Sequence, residues 1–352
     1  MKRLFNSCLL LFCCLLSLIS AAQQYIWASD SSSADEPNYF MERYHDILRY
    51  HEPMMYVAFP YVTPTVKRDI KLTDREGKNG YWAEGHFGHR FVVYKGKYYS
   101  HPFFQRSRFT FDVSLLSRLT QDNSSPLLPF NGKFGFGIDY LIYGFQQLKK
   151  DRGTLLWTTI QLHHYSNGQA DSFFISKSPR RNNYVGGDFS TNYYRVSLTI
   201  ANNSKMKSIM AASLGYQREI DLGGPLSSSK ELNNYYGENR LLFALQWTKK
   251  PKLVVSNLQY RSNGRTQPIK VEKRRQTTIR TELEYISGNL SEFDNENKAR
   301  IGWHNYITYM PSITNEVGFI LHTFVGRDYL NIRFDDVVFA AGIGFYVKFS
   351  KN

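Results

Sequence analysis

From Met54 onward, apolar and polar residues alternate in runs longer than an ordinary strand, and that repetition admits few architectures. The clearest runs are 107–119, 133–146, 154–166, 191–201, 207–218, 240–249, 252–262, 276–287, 299–310, 316–327 and 336–349, with weaker ones in 54–63 and 81–95. Gly, Asn, Pro, Ser, Asp and Lys separate them. In Phe109-Thr110-Phe111-Asp112-Val113-Ser114-Leu115 every second residue is apolar, and in Ile279-Arg280-Thr281-Glu282-Leu283-Glu284-Tyr285 the charges all fall on one face. Soluble strands average about five or six residues. Strands of about ten, with one apolar face and Tyr or Phe near their ends, are those of a membrane-spanning barrel.

The expected fold is therefore all-β: an antiparallel transmembrane β-barrel, with a soluble sandwich as the competing architecture. The last run, Phe339 to Phe349, ends on an aromatic almost at the C-terminus, as a closing barrel strand would. Thirteen runs are one too many, because single-chain bacterial barrels have even strand numbers. The sequence predicts twelve strands, with the surplus placed within 276–310. If the N-terminus is periplasmic and both weak runs are strands, 154–166 is the fifth and runs outward. The long links 167–190 and 219–239 then face outside, and short ones such as Asn202-Asn203-Ser204 face the periplasm.

The N-terminus sets the compartment. Lys2 and Arg3, an apolar run from Leu9 to Ile19, and Ser20-Ala21-Ala22 predict a signal peptide over 1–22, cut after Ala22. A polar periplasmic extension over 23–53 follows, with a possible short helix from Asn38 to Tyr50, and then the barrel over 54–352. All three cysteines (Cys8, Cys13 and Cys14) lie in the leader, which excludes disulfides, thiolate metal sites and a cysteine nucleophile from the remainder. No nucleic-acid motif accompanies the net charge of +14, and in an exported chain that charge suits an anionic lipid surface. Aromatics make up 16% of the chain at a mean hydropathy of −0.43, so any membrane crossing is by strands.

The chemistry lies where 154–166 ends, in Leu162-His163-His164-Tyr165-Ser166-Asn167-Gly168. His164 and Ser166 are two apart, which on a strand places both on one face with about 6.6 Å of rise between them. One segment thus offers a nucleophile and its general base. The Gly168 amide follows as an oxyanion donor. A third group must orient the imidazole, and Asn182, Asn183, Asp188 and Asn192 are the choices. Asn192, at the start of the next strand, is the best, because antiparallel pairing would set it beside His164. Ser262-Asn263-Gly264 repeats half of the motif with Tyr260 in the base's place, so Ser-Asn-Gly is partly a strand-end turn.

His164-x-Ser166-Asn167-Gly168, with Asp171 three residues on, resembles the signature of the outer membrane phospholipase A family. Ser190-Thr191-Asn192 is similar to the family's Ser-x-Asn on the following strand. Gly326-Arg327-Asp328-Tyr329-Leu330-Asn331 and Ala341-Gly342-Ile343-Gly344-Phe345 are similar to its last two strands, and Ser124-Ser125-Pro126 to an outer-loop Ser-Ser-Pro. The resemblance implies a twelve-stranded enzyme in the outer membrane of a Gram-negative bacterium. It would hydrolyse phospholipid esters, depend on calcium (Ca2+) and be active as a homodimer. Ser166 would be the nucleophile, His164 the base and Asn192 the orienter, with Gly168 at the oxyanion. Gln169 would offer calcium its carbonyl, Ser124 a hydroxyl from the partner subunit, and Asp221 a carboxylate near the metal. Asp188 stands where the family has a calcium-binding serine.

Other titratable residues read as structural. His86-x-x-His89 with Glu84 has metal-like spacing, but i and i+3 on a strand face opposite ways. His101, His304 and His322 sit among aromatics or in later strands, and Lys270 to Arg275 reads as a solvated basic loop. A lipid A deacylase, which also uses His-x-Ser but on a smaller barrel, and a non-catalytic barrel or porin are the alternatives.

Overall fold

The computed structural model describes residues 55–64, 81–95, 101–120, 127–147, 152–177, 180–183, 186–203, 208–232, 234–249, 255–262, 265–272, 276–288, 290, 299–311, 317–334 and 336–347. The signal peptide, the extension over 23–53 with its helix, and Ser124 lie outside the described residues.

Twelve antiparallel strands close into a barrel. In chain order they begin with β1 (Met55–Pro64), β2 (Tyr81–Lys95), β3 (Ser107–Thr120), β4 (Asn131–Gln147) and β5 (Arg152–Ser166). A small hairpin, β6 (Phe174–Lys177) with β7 (Arg180–Asn182), interrupts the next link, and β8 (Ser190–Asn203), β9 (Ser208–Ile220) and β10 (Asn239–Lys249) resume the wall. After a second hairpin, β11 (Val255–Ser262) with β12 (Arg265–Glu272), the wall is completed by β13 (Gln276–Ser287), β14 (Ile301–Met310), β15 (Val317–Arg327) and β16 (Val337–Val347). β16 pairs back onto β1, from Met55 opposite Val347 to Pro64 opposite Val338, so no edge is left open.

Twelve is the expected number, but the surplus run is not where the sequence suggested. β13 and β14 are both wall strands, and β10 pairs directly with β13, Asn239 opposite Ser287. The extra run is 255–262. Its Ser262 pairs with Arg265, leaving Asn263-Gly264 between them, the dipeptide favoured by two-residue hairpins. That segment satisfies its hydrogen bonds with its own partner and never joins the wall.

Alternation makes the barrel apolar outside and polar inside. Along β5, Ile160 and Leu162 are 43% and 42% exposed, whereas Thr159, Gln161 and His163 are 4%, 4% and 3% exposed. The exposed set is the one a bilayer would cover. Among the described residues no helix is long and apolar enough to cross a membrane. Inside, charges are buried in pairs: Arg90 with Asp112, Arg108 with Asp139, Arg118 with Glu84 and Asp328, Arg240 with Glu219 and Glu284, and Arg280 with Glu282. A buried charge is tolerable only when so matched.

One end is capped by the longer links. Phe173, Phe174 and Phe189 from the β5–β8 link pack with Leu232 and Tyr235 from the β9–β10 link, and with Leu290, Leu330 and Phe334. Below this cap lies a cavity of about 190 Å³ lined by polar and aromatic side chains such as His86, Lys133, Tyr193, Arg195 and Glu282.

Candidate active site

β5 and β8 pair in continuous register, and that register sets His164 opposite Asn192 and Ser166 opposite Ser190. His164, Ser166 and Asn192 share parity with Ile160, Leu162, Val196 and Leu198, all exposed on the outer wall. The three residues therefore stand on the lipid-facing surface at the capped end of the barrel. His164 and Ser166 are half-buried, while Asn192 is fully covered by the β9–β10 link.

His164 Nδ1 lies 2.9 Å from Asn192 Oδ1. Which atom carries the proton follows from the far side of the amide. Asn192 Nδ2 donates to the Leu226 carbonyl at 2.5 Å, and a carbonyl can only accept. Oδ1 is thereby turned toward His164 and must accept from Nδ1–H, which leaves Nε2 with its lone pair. A flipped amide would set its oxygen against the Leu226 carbonyl and lose that bond, at a cost of about 1–3 kcal/mol for the unmet group. The Phe134 ring, 5.1 Å from the imidazole centroid to centroid, covers another side of His164. Ser166 follows on the same face, and none of the described residues hydrogen-bonds to its hydroxyl.

The turn after Ser166 is built on Asn167, which is fully buried. Its Nδ2 donates to Gly187 O at 2.7 Å, and its Oδ1 accepts from Phe189 N at 3.0 Å and Gln169 N at 3.3 Å. This knot fixes the chain so that Gly168 projects, exposed, at φ +66°, a conformation that favours glycine.

The residues offered to calcium are placed as follows. Gln169 and Phe189 share Asn167 Oδ1, so Gln169 lies across a single amide from the neighbour of Asp188. Asp188 Oδ2 accepts from Ser229 Oγ at 2.6 Å. Asp221 Oδ1 accepts from Gly223 N and Ser228 N, both at 3.0 Å. Those two N–H groups, Ser228's first, hold the Asp221 carboxyl below the usual carboxylate range. The donors are all oxygens, which suits a hard divalent cation. Asp221 instead turns inward on its own loop. Among the described residues no group of three or more His, Cys, Asp or Glu gathers to hold a metal.

Asp171 takes part through its backbone: its N–H donates to Gly186 O and its carbonyl accepts from Asp188 N, at 3.0 and 2.7 Å. Asn183 Oδ1 accepts from Gly186 N at 3.0 Å, so Asn183 serves the loop and not His164. Asn182 is buried in the β6–β7 hairpin. The other described histidines outside β5 have contacts of their own. His86 bonds Ser114 Oγ at 2.8 Å, and His89 packs edge-on against Phe91. His101 Nδ1 accepts from Phe103 N at the start of a short helix (Pro102–Gln105). His304 and His322 bond each other inside the barrel at 3.1 Å. Sequence reasoning missed Asn167, whose Ser-Asn-Gly context reads as an ordinary turn. It also missed the Leu226 carbonyl, a backbone atom with no residue signature.

A scan against protein-family models and a search of curated proteins both return no match. Solved structures do match in shape. Outer membrane phospholipase A from Escherichia coli superposes with a TM-score of 0.51 at 11% identity, over 86% of this chain and 94% of that one. The Salmonella typhi outer membrane phospholipase dimer with bound calcium matches at 0.51 and 12%, over 86% and 92%. At such identities the likeness is one of fold: a twelve-stranded outer-membrane-type barrel.

Proposed function

We propose that the protein is an outer-membrane phospholipase A-like esterase that hydrolyses acyl ester bonds of glycerophospholipids. The observation that carries this reading is an imidazole on the outer face of the wall, with Nδ1 bonded to a buried amide and no described residue hydrogen-bonded to Nε2, two residues along the strand from a serine.

Ser166 Oγ attacks the ester carbonyl carbon while its proton passes to His164 Nε2. Asn192 Oδ1 holds Nδ1–H and steadies the ring as it becomes cationic. The Gly168 amide is available to the developing oxyanion. His164 then returns the proton to the leaving glycerol oxygen, and a water activated the same way hydrolyses the acyl-serine. The site needs no closed pocket, because the bilayer supplies its apolar wall beside Phe134 and Leu162. A calcium ion, when bound by the Gln169 carbonyl and Asp188, with Ser124 from a second copy, would supply positive charge beside the oxyanion. The homodimer and the outer-membrane location belong to the same proposal, supported by the likeness to the calcium-bound phospholipase dimer.

The test is release of fatty acid from phospholipid vesicles by the refolded protein, with and without calcium. Release that depends on Ser166 supports the reading. Release from lipid A alone would move the assignment to a deacylase, and no release from either lipid would leave a non-catalytic barrel.

A further inference from the structure

The β9–β10 link leaves the wall at Ile220 and folds back over β8. Asp221 closes the fold by accepting from Gly223 N and Ser228 N through one oxygen. Gly223 and Gly224, at φ +70° and +60°, start a single 3-10 turn (Gly224–Leu226), in which Leu226 N donates to Gly223 O at 3.3 Å and Ser227 N to Gly224 O at 3.2 Å. Ser228 Oγ donates to Ile220 O at 3.1 Å and ties the two ends of the link together. The segment is also stitched to β8. Ser190 N donates to Ser229 Oγ, Ser229 N to Ser190 O and Ser190 Oγ to Ser227 O, at 2.9, 2.8 and 2.9 Å. Asp188 receives the Ser229 hydroxyl from the other side. What this clamped segment delivers to the site is the Leu226 carbonyl, against Asn192 Nδ2.

We propose that Asp221 is a positioning residue: by capping the 221–228 link it holds the Leu226 carbonyl against the Asn192 amide, and so keeps His164 protonated on Nδ1 with Nε2 free for Ser166. This role for Asp221 rests on the esterase reading of Ser166 and His164, and differs from the calcium ligation that the family resemblance implies. The link carries sign information. Without an acceptor behind it, the amide of Asn192 can present either its oxygen or its nitrogen to His164, and only the oxygen selects the useful tautomer. The depressed Asp221 carboxyl agrees with a carboxylate already engaged by two backbone donors.

Asp221→Asn and Asp221→Ala separate the two tasks in the full-length refolded protein. Asparagine keeps an oxygen for the two N–H groups but removes the charge; alanine removes both. Alanine is expected to lower kcat roughly tenfold with KM little changed, no more than removal of the Asn192 amide itself, since Asp221 acts only through it. Asparagine is expected to recover most of that loss at unchanged calcium. Ring-labelled 15N spectra of His164, assigned by its loss in His164→Gln, should show the Nδ1–H tautomer in the parent and in the asparagine variant, and a mixture in the alanine variant. Ser228→Ala keeps the N–H groups but frees one tie, so it should give a smaller shift and remain informative if the alanine variant does not fold. Equal damage by asparagine and alanine, relieved by raising calcium, would overturn the proposal in favour of metal ligation. An unaltered tautomer and turnover in Asp221→Ala would overturn it outright. If the parent hydrolyses no lipid, the esterase reading fails, and the spectra still decide whether Asp221 governs the ring.

Discussion

His163 and His164 are adjacent in sequence and lie on opposite sides of the barrel wall. His163 points inward and is buried, with Nδ1 2.9 Å from Tyr193 Oη and Nε2 3.2 Å from Asp112 Oδ2. Asp112 in turn is bonded by Arg90 and by Gln161 Nε2. Gly135 faces this ring across the strand pair, and any side chain there would collide with it. His164 points outward, with Nδ1 bound to Asn192 and no described residue hydrogen-bonded to Nε2. The same residue type is saturated and structural on one face, and half-satisfied and poised on the other. A histidine's use is decided by what its second nitrogen meets.

That contrast can be broken experimentally. The largest effects belong to Ser166→Ala and His164→Ala, each expected to cut fatty-acid release at least about a thousandfold while the heat-modifiable barrel band in gels is unchanged. Asn192→Ala should come next, at roughly ten- to a hundredfold in kcat, because the ring loses its orienter but keeps its place on the strand. His163→Ala should show the opposite pattern. Opening the buried network costs about 1–3 kcal/mol for each group left unmet, seen as a lower unfolding midpoint, while the folded fraction keeps its specific activity. The smallest effect is Ser262→Ala, which sits in the β11–β12 hairpin and should change release by less than about twofold. If His163→Ala lost activity as completely as His164→Ala without loss of stability, the division between the two faces would be wrong.

The faces were legible in the sequence because a period of two is a backbone property, shared by every strand that must be wet on one side and apolar on the other. Strand partners were not. The run 252–262 alternates like its neighbours, and only the Asn-Gly dipeptide and the short segment after it mark a hairpin that pairs with itself. His164, Ser166 and Asn192 could be set together from spacing and antiparallel register alone. The parts that hold them, the Asn167 knot and the Leu226 carbonyl, depend on how two long links fold over the barrel mouth. Links of that length have many closures, and no local pattern selects among them.

The central claim is that the reactive serine stands on the lipid-facing wall beside His164. Treating the refolded protein in lipid vesicles with a long-chain alkyl fluorophosphonate, then mapping the adduct by peptide mass, tests it directly. The account predicts one adduct, on Ser166, formed in the parent and in Ser262→Ala and lost in His164→Ala. An adduct on another serine, or labelling of Ser166 that proceeds equally fast without His164, would contradict it.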